Sequence, residues 1–470
     1  MKISQNLLYF LAFFAKSATI RATEVTMLIR STFANLYSFD APQTISFIAG
    51  KTRTLAHHMQ KKNNRNLPSL LKSAIVYGAN ASGKSNLVKC FNFARNLIVY
   101  GLKIDDPIPR TPFRLRAGAT LEPSWFEFEL DLDGQMYAYK LVFDDTAISG
   151  ESLTQLFPTS EKLLFTRTWD GKASVIEFPE EKFANKNEEN RFKFIAQNTR
   201  PNQPFLTETV ESNSDKYRSI YNWFRYGIQI IYPEAIYSGA LPKSEGRTPS
   251  IYETFFKNLG LGITAVKEEP LDIKSPLKDI PAELINDIGK DLKNGMQMIL
   301  HGSGKSRYRL HKTKEGVLEL YKIVFYHETS DTHEEIPFDL KDESDGTIRL
   351  IDLIPALADL CDTEKLYVID ELDRSMHAQL TRAFLEYFFS CSTSRSQILA
   401  TTHELDLLDL DLLRKDEIWF VEKDNAFTSH LYSLEEFKPR YDKDIRKGYL
   451  QGRFGGIPII RNITRTGWGK

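Results

Sequence analysis

The densest chemistry in the sequence is one run, Gly78-Ala79-Asn80-Ala81-Ser82-Gly83-Lys84-Ser85, followed by Asn86. It fits GxxxxGK[ST], in which each residue type answers a need of phosphate. The glycines let successive backbone amides turn inward around β- and γ-phosphates. The helix that follows offers its positive end, Lys84 adds a point charge, and the Ser85 hydroxyl ligates Mg²⁺. Gly78, Asn80, Ser82, Gly83, Lys84, Ser85 and Asn86 are therefore the candidate nucleotide-binding residues. Gly302-Ser303-Gly304-Lys305-Ser306 repeats the GKS ending, but Ile299 stands where the first glycine should, and it reads as a turn.

Three further groups lie downstream. Leu366-Tyr367-Val368-Ile369-Asp370-Glu371 is an apolar run ending in paired acids. A strand delivering Asp370 to the C-terminal edge of a sheet can place it in a Mg²⁺ shell, and Glu371 can polarise an attacking water. Strand ends often carry acids, so this signal alone is moderate. Thr401-Thr402-His403 closes the next predicted strand and puts an imidazole where it can sense a γ-phosphate or orient the water, the alternative being a structural histidine. Glu343-Ser344-Asp345-Gly346-Thr347 precedes an amphipathic stretch, so Ser344 and Gly346 form a second anion-binding surface at a helix start. One triphosphate does not need two such surfaces in one chain, and two chains would explain both.

Elements must position these groups. Ser73 to Tyr77 reads as a buried parallel strand, with a helix from about Lys84. Trp125 to Leu130 and Tyr137 to Phe143 alternate around Asp133-Gly134, a β-hairpin. Leu28 to Phe39 and Ile45 to Ile48 read as two short strands. After residue 335 a helix (Thr347 to Leu360), a strand (Leu366 to Ile369), a helix (Leu380 to Phe389) and strands at Ile398 to Thr401 and Ile418 to Val421 predict a parallel sheet. Between these halves, Tyr217 to Tyr232 and Ile251 to Leu259 look helical, Pro242 to Pro249 is a loop, and Arg307 to Glu328 reads as a hairpin.

The chain has 470 residues, 42% of them apolar and 26% charged, which is enough for two or three folded lobes and excludes a disordered or fibrous class. Lys and Arg number 61 against 62 Asp and Glu, so no global field draws the protein to nucleic acid or anionic membrane. Local basic patches remain at Lys51 to Arg65 and in the tail from Arg440, each of which is either a phosphate contact or a solvated segment. His57-His58 reads as loop surface. Three cysteines without metal-ligand spacing argue against a disulfide scaffold and a zinc site. Leu7 to Ala15 superficially resembles the apolar core of a secretory signal but falls short of the roughly 18 to 20 residues of a membrane span. The expectation is a frayed helix or an upstream start, with the folded protein beginning near Met27 and a cytoplasmic address without membrane attachment.

The order Gly78 to Ser85, Ser344-Asp345-Gly346, Asp370-Glu371 and His403 resembles the ATP-binding cassette head of structural-maintenance-of-chromosomes, Rad and RecF-type proteins. There the serine-glycine signature of one head completes the ATP site of the other. Met27 to Arg30, Ser46 to Lys51, Tyr77 to Asn86, Asp370 to His377 and Tyr449 to Gly455 further resemble bacterial AAA-family ATPases of the RloA and AbiL type, associated with abortive infection and related to the overcoming-lysogenization-defect ATPases. By that resemblance Ser375 and His377 face the partner head. The signature here reads Ser-Asp-Gly rather than Ser-Gly-Gly.

The resemblance implies an α/β fold: an ABC-type P-loop ATPase head with a mixed parallel core sheet, an antiparallel β-subdomain and an inserted mixed α/β or helical lobe. The expected boundaries are an N-terminal extension at 1–26, the first half of the head at 27–150, the lobe at 151–335 and the second half of the head at 336–470. ATP and Mg²⁺ are the implied cofactors, with Ser85 and Asp370 on the metal, and Glu371 and His403 catalytic. The implied assembly is a homodimer or higher even-numbered homo-oligomer. The sequence ends about 67 residues after His403 without the clustered acids of a metal nuclease, so the expected effector is a separately encoded Toprim, HNH or other toxin, triggered by a phage protein or nucleic acid. Two rival readings are a DNA-maintenance ATPase and a scaffold that binds ATP with little turnover.

Overall fold

The computed structural model describes residues 26–60, 67–169, 171, 173–234, 256, 260–273, 280–302, 306–391, 394–439 and 444–457. The 1–26 extension except its last residue, Lys61, Lys62 and Arg65 of the basic loop, the Pro242 to Pro249 loop, most of Ile251 to Leu259, the centre of the second GKS sequence, and Arg440, Lys443 and the end of the basic tail lie outside the described residues.

In chain order, β1 (Thr26–Ala34) and β2 (Gln43–Ser46) precede β3 (Ser73–Tyr77), which leads through the glycine loop into α1 (Lys84–Tyr100). A meander follows: β4 (Ser124–Leu132), β5 (Gln135–Phe143), β6 (Ile148–Leu156), β7 (Glu161–Trp169) and β8 (Ser174–Glu177). After α2 (Lys186–Asn198) and shorter turns comes β9 (Ile228–Ile231). Next are β10 (Ile263–Leu271), α3 (Ala282–Asp291), β11 (Gln297–His301), β12 (Arg307–Lys312), β13 (Leu318–Glu328) and β14 (Glu335–Phe338). Last are α4 (Asp345–Asp362), β15 (Leu366–Ile369), α5 (Ala378–Ser390), β16 (Gln397–Thr402), β17 (Ile418–Lys423) and β18 (Ser429–Ser433).

The chain divides into two compact units. The larger comprises Thr23–Pro233, Leu360–Asp373 and Leu385–Lys470 and holds two sheets. One is antiparallel, in the order β2-β1-β4-β5-β6-β7-β8. The other is the core sheet, β18-β17-β3-β16-β15-β9, parallel except for the β17–β18 pair. Every residue of β3, β15 and β16 is buried, which is why these strands read as unbroken apolar or small-residue runs. β4 instead buries alternate residues, as a strand with one covered face must. Phe128 on that face meets Phe33, Phe91 of α1, Phe126, Trp223 and Phe224 at centroid distances of 5.1–5.7 Å. The buried Gln397 amide joins the two sheets, accepting from Leu28 N–H and donating to the carbonyls of Leu28 and Leu71.

The smaller unit, Glu234–Asp359 with Arg374–Phe384, contains the antiparallel sheet β10-β13-β12-β11, with β14 also on β13. Ile285 and Ile288 of α3 share a core with Leu310 and Leu320. The lobe expected over 151–335 thus meets a different division. Residues 151–233 complete the two sheets of the larger unit, because β6 to β8 extend the hairpin meander and β9 adds to the core sheet. The aromatic stretch Tyr217 to Tyr232, read as helical, ends in that strand.

Two local expectations also change. His58 is not loop surface: it is buried, its Nδ1 lies 2.8 Å from Glu417 Oε2, and its ring stacks on Phe389 at 3.6 Å. Cys361 and Cys391 form a disulfide, because the β15–α5–β16 crossover returns the chain beside the end of α4. Their sequence separation of 30 gave no sign of it.

Candidate active site

Strand register sets the site. β16 pairs with β15 so that Ala400 faces Ile369, and with β3 so that Thr402 faces Tyr77. One residue further along, Asp370 comes beside Thr401 and Gly78 beside His403. The glycine loop, the acid pair and the histidine therefore emerge together at the C-terminal edge of three adjacent strands, where open α/β sheets bind ligands.

The loop fits phosphate by its sterics. A Cβ on Gly78 would collide with Val421 O and Ser82 Oγ, and one on Gly83 (φ +123°) with Ser429 Oγ. Ser429 Oγ donates to Ser82 O at 2.6 Å and also lies 2.8 Å from Ser38 Oγ, which accepts from Asn86 Nδ2 at 2.9 Å. The loop is thus braced from β18 and from the turn after β1. Ser82 Oγ is buried and has no partner among the described residues, an orphan that a phosphate oxygen would satisfy. Lys84 Nζ donates to the carbonyls of Gly78 (2.7 Å) and Ala79 (3.0 Å). Burial lowers its pKa to about 8, against the opposing pull of Asp370, Asp373 and Glu371.

Asp370 is buried and accepts from Thr401 Oγ1 at 2.7 Å, while its amide donates to Ile231 O at 2.9 Å. Glu371 is partly buried and holds a left-handed φ of 51°. The His403 amide donates to Asp373 Oδ2 at 3.2 Å. Desolvation and then the Lys84 charge lower the imidazole's pKa, with Asp373, Glu371 and Asp370 opposing. Among the described residues no group of three His, Cys, Asp or Glu could hold a metal unaided, so Mg²⁺ at Ser85 and Asp370 would require phosphate oxygens, its usual mode.

Ser344 and Gly346 lie in the smaller unit. Ser344 is exposed and caps α4, its Oγ accepting from Thr347 N at 3.1 Å. Gly346 sits against Ser375 O. Ser375 and His377 are exposed, and the His377 ring accepts from Gln379 N at 3.2 Å. The structure brings Lys84, Asp370, Glu371 and His403 together in the larger unit and Ser344, Gly346 and Ser375 together in the smaller one.

Five contributors carry roles that the sequence alone did not assign. Thr401 and Asp373 flank motif residues, so their positions were readable. Ser38 and Ser429 are 391 positions apart and carried no signal. Tyr232 leaves β9 near Asp370; burial, then that carboxylate, raise its phenol pKa, opposed by a hydrogen bond from Asn92. In the basic loop Lys51 and Arg53 are exposed, and the carbonyls of Thr52 and Thr54 accept from the buried Arg414 guanidinium. No helix of the described residues is long and apolar enough to cross a membrane.

Residues 73–409 match the family described as AAA domain, putative AbiEii toxin, Type IV TA system. No curated protein matches the sequence. Among solved structures, similarity is found to an Smc head bound to the C-winged helix domain of ScpA, at 13% identity, 87% of this chain, 99% of that chain and a TM-score of 0.35. The SMC head domain from Thermotoga maritima gives 13% identity, 86% and 98% coverage and a TM-score of 0.32. A Pyrococcus furiosus Smc head with an extended coiled coil, bound to the C-terminal domain of ScpA, gives 12%, 88% and 100%, with a TM-score of 0.32.

Proposed function

The chain belongs to the AAA-domain family that matches it over residues 73–409, and on that premise we propose that it is a cytoplasmic Mg²⁺-dependent ATPase whose heads pair across ATP. The observation that carries this reading is the emergence of Lys84, Asp370, Glu371 and His403 at neighbouring strand ends, in register. The amides and Ser82 of the loop cradle phosphate, and Lys84 leaves its loop carbonyls to neutralise it. Ser85 and Asp370 would hold Mg²⁺, which would supply charge neutralisation at the phosphates. Glu371 accepts the proton of the attacking water, and His403 contacts the γ-phosphate. Ser344 and Gly346 act on the ATP of a second copy.

The family description names a putative toxin of a type IV toxin–antitoxin system, and the motif wording resembles abortive-infection ATPases. The motif resemblance supports a role as sensor and regulator of a separately encoded effector in defence against phage, and the family description supports a place in a toxin–antitoxin system. Steady-state turnover by the full chain tests the enzymatic part. Lys84→Ala should abolish ATP binding, and Glu371→Gln should retain binding while lowering turnover by about a hundredfold or more. Turnover of Glu371→Gln equal to the wild type would remove the water-activating role. Phage challenge of cells carrying the native operon, with either variant, tests the biological part: protection lost with Lys84→Ala supports it, and protection unchanged by both variants contradicts it.

A further inference from the structure

We propose that Thr401 is a positioning residue whose single hydroxyl fixes both acids of the site, Asp370 through its carboxylate and Glu371 through its backbone. The inference rests on the ATPase reading and adds to it a role for a residue outside the glycine loop and the acid pair.

Thr401 is the fifth residue of β16 and is fully buried. Its Oγ1 lies 2.7 Å from Asp370 Oδ1 and 2.8 Å from Glu371 N, and its carbonyl accepts from Leu372 N at 2.9 Å. The direction of each bond is forced. An amide nitrogen can only donate, so Oγ1 accepts from Glu371, and its one proton is left for Asp370. Asp370 Oδ1 is thereby held as an acceptor, which leaves the carboxylate's other oxygen to a metal.

The second bond bears on the backbone. Glu371 sits at φ 51°, a conformation that a residue with a side chain keeps only when its surroundings impose it. Two successive amides, Glu371 and Leu372, are tied to Thr401, one through its hydroxyl and one through its carbonyl. His403 N to Asp373 adds a tie two residues further on. Valine would fill the same volume on the strand but would leave a buried carboxylate oxygen and a peptide N–H without this partner. The hydroxyl, not the shape, carries the role.

The experiment compares Thr401→Val, Thr401→Ser and Glu371→Gln in the full chain, with Thr381→Val as control for a buried threonine whose hydroxyl has no partner among the described residues. Turnover, the Mg²⁺ concentration for half-maximal rate, and ATP affinity are measured. Thr401→Val should lower turnover about tenfold or more and raise the Mg²⁺ requirement, with ATP affinity within about threefold. Thr401→Ser should restore most of the lost rate, and Thr381→Val should behave as the wild type. If Thr401→Val does not fold, Thr401→Ser decides alone: a rate as low as that of Glu371→Gln overturns the proposal. Thr401→Val turning over as the wild type while Glu371→Gln is inactive overturns the role of Thr401 and leaves the ATPase reading standing. Absence of Mg²⁺-dependent turnover in the wild type would sink both.

Discussion

Gly346 lies against the carbonyl of Ser375, so close that a Cβ on the glycine would meet that oxygen at 2.5 Å. The signature glycine is therefore required by its own chain, where it meets the loop that follows the acid pair. Ser375 itself holds a left-handed φ of 61°. A change at either residue displaces the other, and both belong to the smaller unit.

Gly346→Ala should push Ser375 aside while leaving the glycine loop of the larger unit untouched. The expected outcome is ATP affinity within about threefold of the wild type and turnover reduced about tenfold or more, since contacts this close cannot be absorbed without backbone shifts. Calorimetric binding and steady-state rates check both halves.

The Lys84 ammonium, with its pKa lowered to about 8 by burial, gives a pH dependence. The sign follows from the charge phosphate needs. Below pH 8 the ammonium is intact, whereas above it the amine is increasingly neutral and its attraction is lost. ATP affinity should therefore fall as pH rises from about 8 to 10, and binding at pH 8.5 should take up protons, seen as a dependence of the binding enthalpy on buffer ionisation. Flat affinity to pH 10 would show that Lys84 does not titrate there.

Gly83→Ala forces a side chain into φ +123° and onto Ser429 Oγ. It should destabilise the protein by about 1–3 kcal/mol, measured by thermal or denaturant unfolding. It should also cut ATP binding severely. Adding Ser429→Gly removes the collision with Ser429 but neither the backbone strain nor the 3.0 Å approach of Ser38 Oγ, and it deletes the hydrogen bond to Ser82 O, so only part of the stability should return.

Asp373 accepts from the His403 amide and adds its charge near Lys84. Asp373→Ala should loosen the histidine loop and lower turnover about tenfold, while ATP affinity is kept or slightly weakened. His403→Ala should show the same split. If the double variant loses no more than either single variant, the two residues act through one interaction.

The legible parts of the sequence were those whose function or burial dictates residue types locally. The glycine loop had to be glycine, lysine and serine. β3, β15 and β16 had to be apolar or small because both faces are covered, so the acid pair and His403 could be placed at strand ends without a structure. β9 was hidden because Ile228 to Ile231 is four residues long and follows a helical aromatic stretch, and it becomes a strand only through pairing with β15. β6 to β8 were hidden because their partners, not their composition, assign them to the sheet of β4 and β5. The contacts that hold the site, Ser38 to Ser429 and Thr401 to Asp370, join residues that no spacing rule connects.

The central claim is that two copies enclose shared ATP, each lending Ser344 and Gly346 to the other. Light scattering coupled to size exclusion on Glu371→Gln, with and without saturating Mg²⁺ and ATP, tests it most directly. A shift from monomer to dimer or a higher even-numbered species with ATP, abolished by adding Gly346→Ala, is the predicted result. A mass that stays monomeric with ATP bound would contradict the account.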